Sequence, residues 1–241
     1  MTDLTRFQNK GLVCLAGINP YTGQCIRPFL RNAGGGTDYL NFQFVKDRNI
    51  IPGSYLDTDF IPKRNPFRPH TEDHIIGGAL QTPGNATSEE FMSILDATSS
   101  TTVAAGFGSN PVDKYFAMDR PPPISIFTLK LTNPRNQFSL TLTDRYGPAF
   151  KVNITDAAGF SMNYLKVTDL GFSDHLGKIQ AEFAGAQKLS RFLLEQEVLY
   201  LRVGLGQHFA PNNDESRRGY YVQINGIYSF PSFRQDLRMY D

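Results

Sequence analysis

The chain carries at residues 12–18 the apolar run Leu12-Val13-Cys14-Leu15-Ala16-Gly17-Ile18, which has the length of a β-strand. The turn-forming cluster Asn19-Pro20-Tyr21-Thr22-Gly23 follows it, and the run Gln24-Cys25-Ile26-Arg27-Pro28-Phe29 comes next. Two apolar runs joined by a turn rich in proline and glycine predict a β-hairpin. The two cysteines flank this turn, so the spacing allows them to face one another across the paired strands.

Further segments with strand character occur along the rest of the chain. They are bounded by glycine and proline turns and lie at residues 54–61, 124–131, 138–142, 150–154, 198–205 and 220–228. Gly226 interrupts the last of these, which indicates a β-bulge or a tight bend. Helical signals are few: Thr87 and Glu90 have the spacing of a capping box and predict a helix near 88–96, and residues 189–198 indicate a helical turn or two. The sequence therefore predicts a mostly β fold with few short helices.

Residues 98–123 are rich in Ser, Thr, Gly and Pro and end in three consecutive prolines. This composition is typical of a linker. We therefore place a domain boundary near residue 120, which divides the chain into domains 1–120 and 121–241. We expect the linker to be exposed or to cross between the two domains.

The charge balance of the chain is close to neutral, with 24 Lys and Arg against 23 Asp and Glu among 241 residues. A protein that grips duplex DNA through many phosphates usually has a clear basic excess, so that class is disfavoured, whereas a local basic groove is not. Two cysteines are too few for a disulfide scaffold or a four-cysteine zinc site. A polar N-terminal segment and the lack of long apolar runs predict a cytoplasmic protein without membrane contact.

Three segments together resemble a known family. They are residues 13–28, the stretch from Pro52-Gly53 through Pro69-His70-Thr71-Glu72-Asp73-His74, and residues 200–205 taken with 223–228. This pattern resembles the bacterial proteins that contain dual OB-fold domains. The resemblance implies two small OB-like β-barrels, the N-terminal one carrying a helical or loop insertion. OB folds commonly receive oligonucleotides or oligosaccharides, so it also implies a binding module.

Two cationic segments are candidates for contact with single-stranded nucleic acid, because cations bind phosphates and aromatic rings stack on bases. The first is a proline-stiffened loop, and the second lies at the end of the polar loop formed by residues 207–219. Two further arginines beside the glycine-rich loop at residues 32–38 extend either surface. The candidate contact residues are Lys63, Arg64, Phe67 and Arg68 of the first segment, Arg217, Arg218 and Tyr220 of the second, and Arg27 and Arg31.

A metal site is a weaker prediction. His70, Glu72 and His74 are ligand-type residues within five positions, but Pro69 before them makes a helix that would align the histidines doubtful. The nucleophile elbow, the phosphate-binding loop and the dinucleotide fingerprint are all missing from the sequence. No cofactor and no catalytic residue is predicted.

Three hypotheses for the function remain open at this point. The first is a non-enzymatic module that binds single-stranded or structured nucleic acid. The second is a protein-interaction or accessory subunit of a larger bacterial complex, such as a defence complex, for which the 19 Phe and 11 Tyr would suit an interface. The third is a metal-dependent hydrolase that uses the two histidines and the glutamate.

Overall fold

The computed structural model describes the chain except for residues 8, 10, 33–36, 65–67, 144–148, 180–182 and 241. Strands account for 42% of the chain and helices for 24%, so the prediction of a mostly β protein is confirmed.

Strands occur throughout the described part of the chain. Their bounds are β1 (Asp3–Arg6), β2 (Leu12–Ile18), β3 (Cys25–Arg31), β4 (Thr37–Asp38), β5 (Leu40–Asn41), β6 (Ser54–Asp57), β7 (Phe60–Pro62), β8 (Asp73–Ile76), β9 (Gln81–Asn85), β10 (Ser99–Ser100), β11 (Tyr115–Ala117), β12 (Ile126–Leu131), β13 (Phe138–Thr143), β14 (Ala149–Thr155), β15 (Ser161–Val167), β16 (Val198–Leu205) and β17 (Gly219–Phe230).

The helices are short. Their bounds are α1 (Phe42–Asp47), α2 (Ser88–Ala97), α3 (Val103–Phe107), α4 (Pro134–Gln137), α5 (Leu170–Ile179) and α6 (Phe183–Leu194), and 3₁₀ turns lie at Pro211–Asn213, Glu215–Arg217 and Gln235–Leu237. The capping box at the start of α2 is confirmed, since Thr87 and Glu90 exchange side-chain to backbone hydrogen bonds. None of the described helices has both the length and the apolar character that crossing a bilayer requires.

The strands form two large mixed sheets and one small ribbon. The first sheet has the order β1-β2-β3-β8-β7, with β4 and β5 attached to β3 and β2. The second has the order β10-β12-β16-β17-β15-β14-β13, with β11 attached to β17, and β6 pairs with β9. The predicted hairpin is present as β2 and β3, with Gly17 opposite Ile26. Cys14 pairs with Thr5 and Cys25 with Ile18, so the two cysteines do not oppose one another.

The two predicted OB-like barrels are not confirmed, because the sheets are not closed. Closure requires the two edge strands of a sheet to pair. In the described part of the second sheet, β10 and β13 are the two edge strands, and each pairs only with its inner neighbour. Helix α6 packs on β13 and covers that end of the sheet. The sheet therefore stays open.

Gly226 lies at a β-bulge between β16 and β17, as the sequence indicates. Arg202 is opposite Gly226 and Val203 is opposite Ile224, so Asn225 is the extra residue. A Cβ atom on Gly226 would approach the Tyr228 hydroxyl to 2.8 Å. The close approach of this side chain explains why the position requires glycine.

Residues 98–123 are folded and packed, which corrects the expectation of an exposed linker. They contain α3 and β11, and Val103, Phe107 and Phe116 are buried in the largest hydrophobic core. Phe107 packs edge-on against Phe127 of β12, with ring centroids 4.7 Å apart. The prediction of an exposed linker was wrong because it rested on the polar composition of the whole segment, whereas its packing depends on these few apolar residues. The division of the chain at residue 120 stays a prediction.

The packing of this segment leads to a stability prediction. A Cβ atom on Gly106 of α3 would lie 2.1 Å from the ring of Phe127, so Gly106→Ala should lower the free energy of unfolding by about 1–3 kcal/mol. Gly177 of α5 is the matched control, because nothing lies within 4 Å of its Cβ position. Gly177→Ala should raise stability by about 0.5–1 kcal/mol through helix propensity. Urea unfolding of both variants measures the contrast, and equal effects would contradict the packed arrangement.

Candidate functional site

A groove of about 870 Å³ is formed where several strands of the described structure meet. Ligand sites typically have volumes of about 300–1,000 Å³, so this groove can hold a ligand of several rings. Strands β1, β2, β15 and β17 supply much of its wall, β14 adds one residue, and the segment after β16 supplies one rim. We call it the lysine groove after Lys114, Lys151 and Lys166, which line it together.

The sheet register brings two of these lysines side by side. Lys151 of β14 is directly opposite Lys166 of β15, and Lys166 is opposite Gln223 of β17. Lys114 precedes β11, and its carbonyl accepts a 2.9 Å hydrogen bond from the Val222 amide of β17. Three ammonium groups are thereby placed on one wall by neighbouring strands.

No described carboxylate neutralises these lysines. In the described part of the chain none of the three forms an ion pair, although the other charges of the groove are paired. Burial, followed by the charges of Lys166 and Lys114, lowers the pKa of Lys151. Like charges directly opposite on neighbouring strands destabilise a sheet. The arrangement therefore carries an energetic cost that an anion in the groove would relieve.

The paired charges show the contrast. Arg6 contacts Asp174 with a nitrogen–oxygen distance of 2.7 Å, and the guanidinium of Arg27 contacts Asp73. Asp3, which also lines the groove, is buried against Arg202 at 2.8 Å. The net positive charge of the groove thus comes from the lysines.

Aromatic rings accompany the lysines. Tyr221 stacks on Tyr115 with centroids 5.2 Å apart and planes at 17°, and Phe209 lies 4.6 Å from Tyr221. Tyr164 lies in the same groove and is 62% exposed. At another part of the wall Phe7 and Tyr39 pack at 4.5 Å. Cations and exposed rings together are what single-stranded nucleic acids require.

The first predicted cationic segment lies beside this groove, and its described residues differ in how far they are exposed to solvent. Lys63 follows β7, and its ammonium lies 5.3 Å from the centre of the Phe29 ring. Arg64 and Arg68 are exposed, whereas Phe67 lies outside the described residues. Arg27 lines the groove but its charge is neutralised by Asp73.

The remaining predicted residues divide similarly. Arg31 and Arg217 are exposed, and Arg218 makes two hydrogen bonds to Glu215. Tyr220 is buried, its hydroxyl donates to the Arg68 carbonyl at 3.2 Å, and its ring packs against two histidines. Its face is therefore covered by protein, and the next residue, Tyr221, is the one that lines the groove.

The metal-ligand candidates are used for structure. The Glu72 carboxylate accepts hydrogen bonds from the Ser125 amide and hydroxyl and from the Ile126 amide. His74 Nδ1 donates to the Glu72 carbonyl at 2.8 Å. In the described residues no three His, Cys, Asp or Glu side chains are grouped as metal ligands. This arrangement gives the hydrolase hypothesis no support.

His70 lines the lysine groove, and both of its ring nitrogens are buried without a hydrogen-bond partner. Burial, together with the charges of Arg27, His208 and Lys63, lowers the pKa of His70 to about 3. The ring is therefore neutral at physiological pH and adds no charge to the groove.

The low pKa of His70 makes stability depend on pH. The unfolded state takes up the proton near pH 6.5 and the folded state only near pH 3, so the folded state is disfavoured as pH falls. Between about pH 7 and 4.5 the wild type should lose about 2–3 kcal/mol of stability relative to His70→Phe. Denaturant unfolding of both proteins across this range measures the difference. Parallel pH profiles of the two proteins would show that the pKa of His70 is the same in the folded and unfolded states, which would contradict the prediction.

Sequence reasoning missed the lysines that dominate the site. The alternation of residues 150–154 does place Lys151 on the polar face of a strand, but no local pattern pairs it with Lys166 or Lys114. Those contacts depend on sheet register and on the crossover from β15 to the parallel strand β17.

Comparison of the chain with protein-family models, with curated proteins and with solved structures finds no match in any of the three. The resemblance to proteins with dual OB-fold domains stays a prediction.

Proposed function

We propose that this protein binds single-stranded nucleic acid in the lysine groove. The observation that carries the proposal is the uncompensated set of Lys114, Lys151 and Lys166 in a cavity that also presents aromatic rings. Phosphates relieve the repulsion between the ammonium groups, and bases find ring faces at the same site.

The chemistry favours a strand over an isolated anion. A small anion would satisfy the lysines but would leave the surfaces of Tyr164, Tyr221 and Phe209 unused. A chain of nucleotides repeats phosphate and base at regular spacing, and so engages both kinds of group along the groove. Near-neutral net charge fits a local site of this kind better than a long duplex track.

The resemblance to dual OB-fold proteins implies the same type of ligand. Its specific barrel geometry is not needed for the proposal, because the groove is formed by the open sheet and its neighbours. The groove therefore takes the place of the exposed barrel face that an OB fold would offer.

Titration of a fluorescently labelled single strand of about ten nucleotides with the wild-type protein tests the proposal. Binding should weaken steeply between about 50 and 200 mM salt, because each phosphate contact releases counterions. No binding at the low salt concentration, or binding that is independent of salt, would overturn it.

A second candidate function is protein binding, which one specific observation favours. A separate cleft of about 550 Å³ lies between the β2–β3 hairpin and β6, and its lining includes Leu15, Ile18 and Phe60. Tyr21 at its mouth is 95% exposed. The affinity for a partner protein bound in this cleft should depend little on salt concentration, since apolar contacts release few counterions. Loss of a co-purifying protein in Tyr21→Ala, with oligonucleotide binding intact, would support this function.

A further inference from the structure

The register of β15 depends on one residue with unusual backbone geometry. Val152 is opposite Leu165 and Ile154 is opposite Met162, so Asn153 of β14 faces two residues of β15, Asn163 and Tyr164. Tyr164 has a φ of 55°, in the left-handed region that favours glycine. The bulge is therefore built on a strained tyrosine.

Asn153 holds this bulge in place. Its Oδ1 accepts a hydrogen bond from the Tyr164 amide at 2.8 Å, and its Nδ2 donates to the Ser139 hydroxyl at 2.9 Å. A side chain of β14 thus takes the position that a ladder carbonyl would otherwise have. The strained conformation is supported by specific contacts from two neighbouring strands.

The bulge decides which face the next residues occupy. Successive residues of a regular strand alternate between faces, so Tyr164 and Lys166 would share the buried face of Met162. With the extra residue, Met162 and Leu165 are both buried, while Tyr164 and Lys166 are both exposed. The same feature therefore brings the tyrosine ring and the lysine into the groove together.

No ring in the described part of the chain stacks on Tyr164. Tyr164 combines an exposed aromatic ring with a strained backbone, and it lies next to lysines that form no ion pair with described residues. This combination is typical of a functional position. We propose that Tyr164 is the base-stacking residue of the lysine groove and that the site therefore requires an unpaired base. This inference rests on the proposed function, because it assigns the ring to the same ligand.

The requirement for an unpaired base distinguishes two contributions to binding. The lysines contact phosphates, which single strands, duplexes and abasic chains all present. Tyr164 can stack only on a base whose face is free. The ring therefore distinguishes strands with unpaired bases from duplexes and abasic chains, and the lysines contribute affinity for all of them.

The test compares two probes of equal charge, a labelled oligothymidylate of about ten nucleotides and an abasic chain with the same number of phosphates. Tyr164→Ala should weaken binding of the oligothymidylate about 5- to 100-fold and leave its salt slope and abasic-chain binding unchanged. Tyr164→Phe should keep wild-type affinity, since the ring face remains. Tyr164→Gly should lose the same affinity as the alanine variant without losing stability, because glycine accepts this φ.

The outcomes separate this inference from the proposed function. If the wild type binds the oligothymidylate and Tyr164→Ala binds it equally well, the inference is overturned while the function stands. Equal weakening of the binding of both probes by Tyr164→Ala would also overturn it. The ring would then contribute to binding of the sugar-phosphate backbone, which both probes share, and not to stacking on a base. Absence of wild-type binding to both probes would overturn the function and the inference together.

Discussion

Arg202→Met should lower the free energy of unfolding by about 3–5 kcal/mol, because it leaves a buried carboxylate without its counter-ion. Arg202 is 1% exposed, and its Nε donates to Asp3 at 2.8 Å. Nη1 donates to the Thr128 hydroxyl at 2.8 Å and Nη2 to the Cys25 sulfur at 3.3 Å. One guanidinium therefore joins β1 and β3 of the first sheet to β12 and β16 of the second.

The matched control for this prediction is Lys130→Met. Lys130 also pairs with an aspartate, Asp96, but its side chain is 27% exposed and that of Asp96 is 46% exposed. Water screens such a pair, so the loss should be only about 0.2–1 kcal/mol. Urea unfolding of both variants gives the comparison. A loss for Arg202→Met as small as that of the control would contradict a connecting role for the buried pair.

The double variant Lys151→Ala/Lys166→Ala should weaken single-strand binding on the order of 100-fold at low salt, at about tenfold for each charged contact removed. The slope of log K against log salt should become shallower by about 1.4, since a single-strand contact contributes about 0.7. Stability should not fall, because the substitution removes the repulsion between two lysines placed directly opposite. Titration at several salt concentrations, with unfolding measured in parallel, checks both statements.

A charge-matched control is available on distant elements. Lys46 of α1 and Lys188 of α6 are exposed and do not line the groove. Lys46→Ala/Lys188→Ala removes the same formal charge and should change affinity and salt slope little. If both double variants weaken binding equally, the effect comes from net charge, and the lysine groove is not the site.

The sequence was informative wherever structure depends on neighbouring residues. The hairpin at residues 12–29 and the capping box at Thr87 rest on local turn and cap chemistry, and both are present. Gly226 was recognised for a similar reason, because a glycine within an apolar strand indicates a bulge. Barrel closure, in contrast, depends on which strands become edges, and this is decided by distant pairing.

The candidate site illustrates the same limit. Charged loops such as residues 63–68 are visible in the sequence as compact runs, whereas Lys114, Lys151 and Lys166 are isolated lysines separated by many residues. Sheet register brings them together, and the bulge at Tyr164 sets the face of one of them. A one-residue change of register would move Lys166 to the opposite face, so no local pattern could have identified the site.

The most direct test of the account is to map where a single strand touches the protein. Ultraviolet cross-linking of a bound oligothymidylate, followed by mass spectrometry of the digested protein, identifies the contacted peptides. The account predicts cross-links on the peptides that contain Tyr164 and Tyr221, which line the lysine groove. Cross-links confined to surfaces outside the groove, with none on these two peptides, would contradict it.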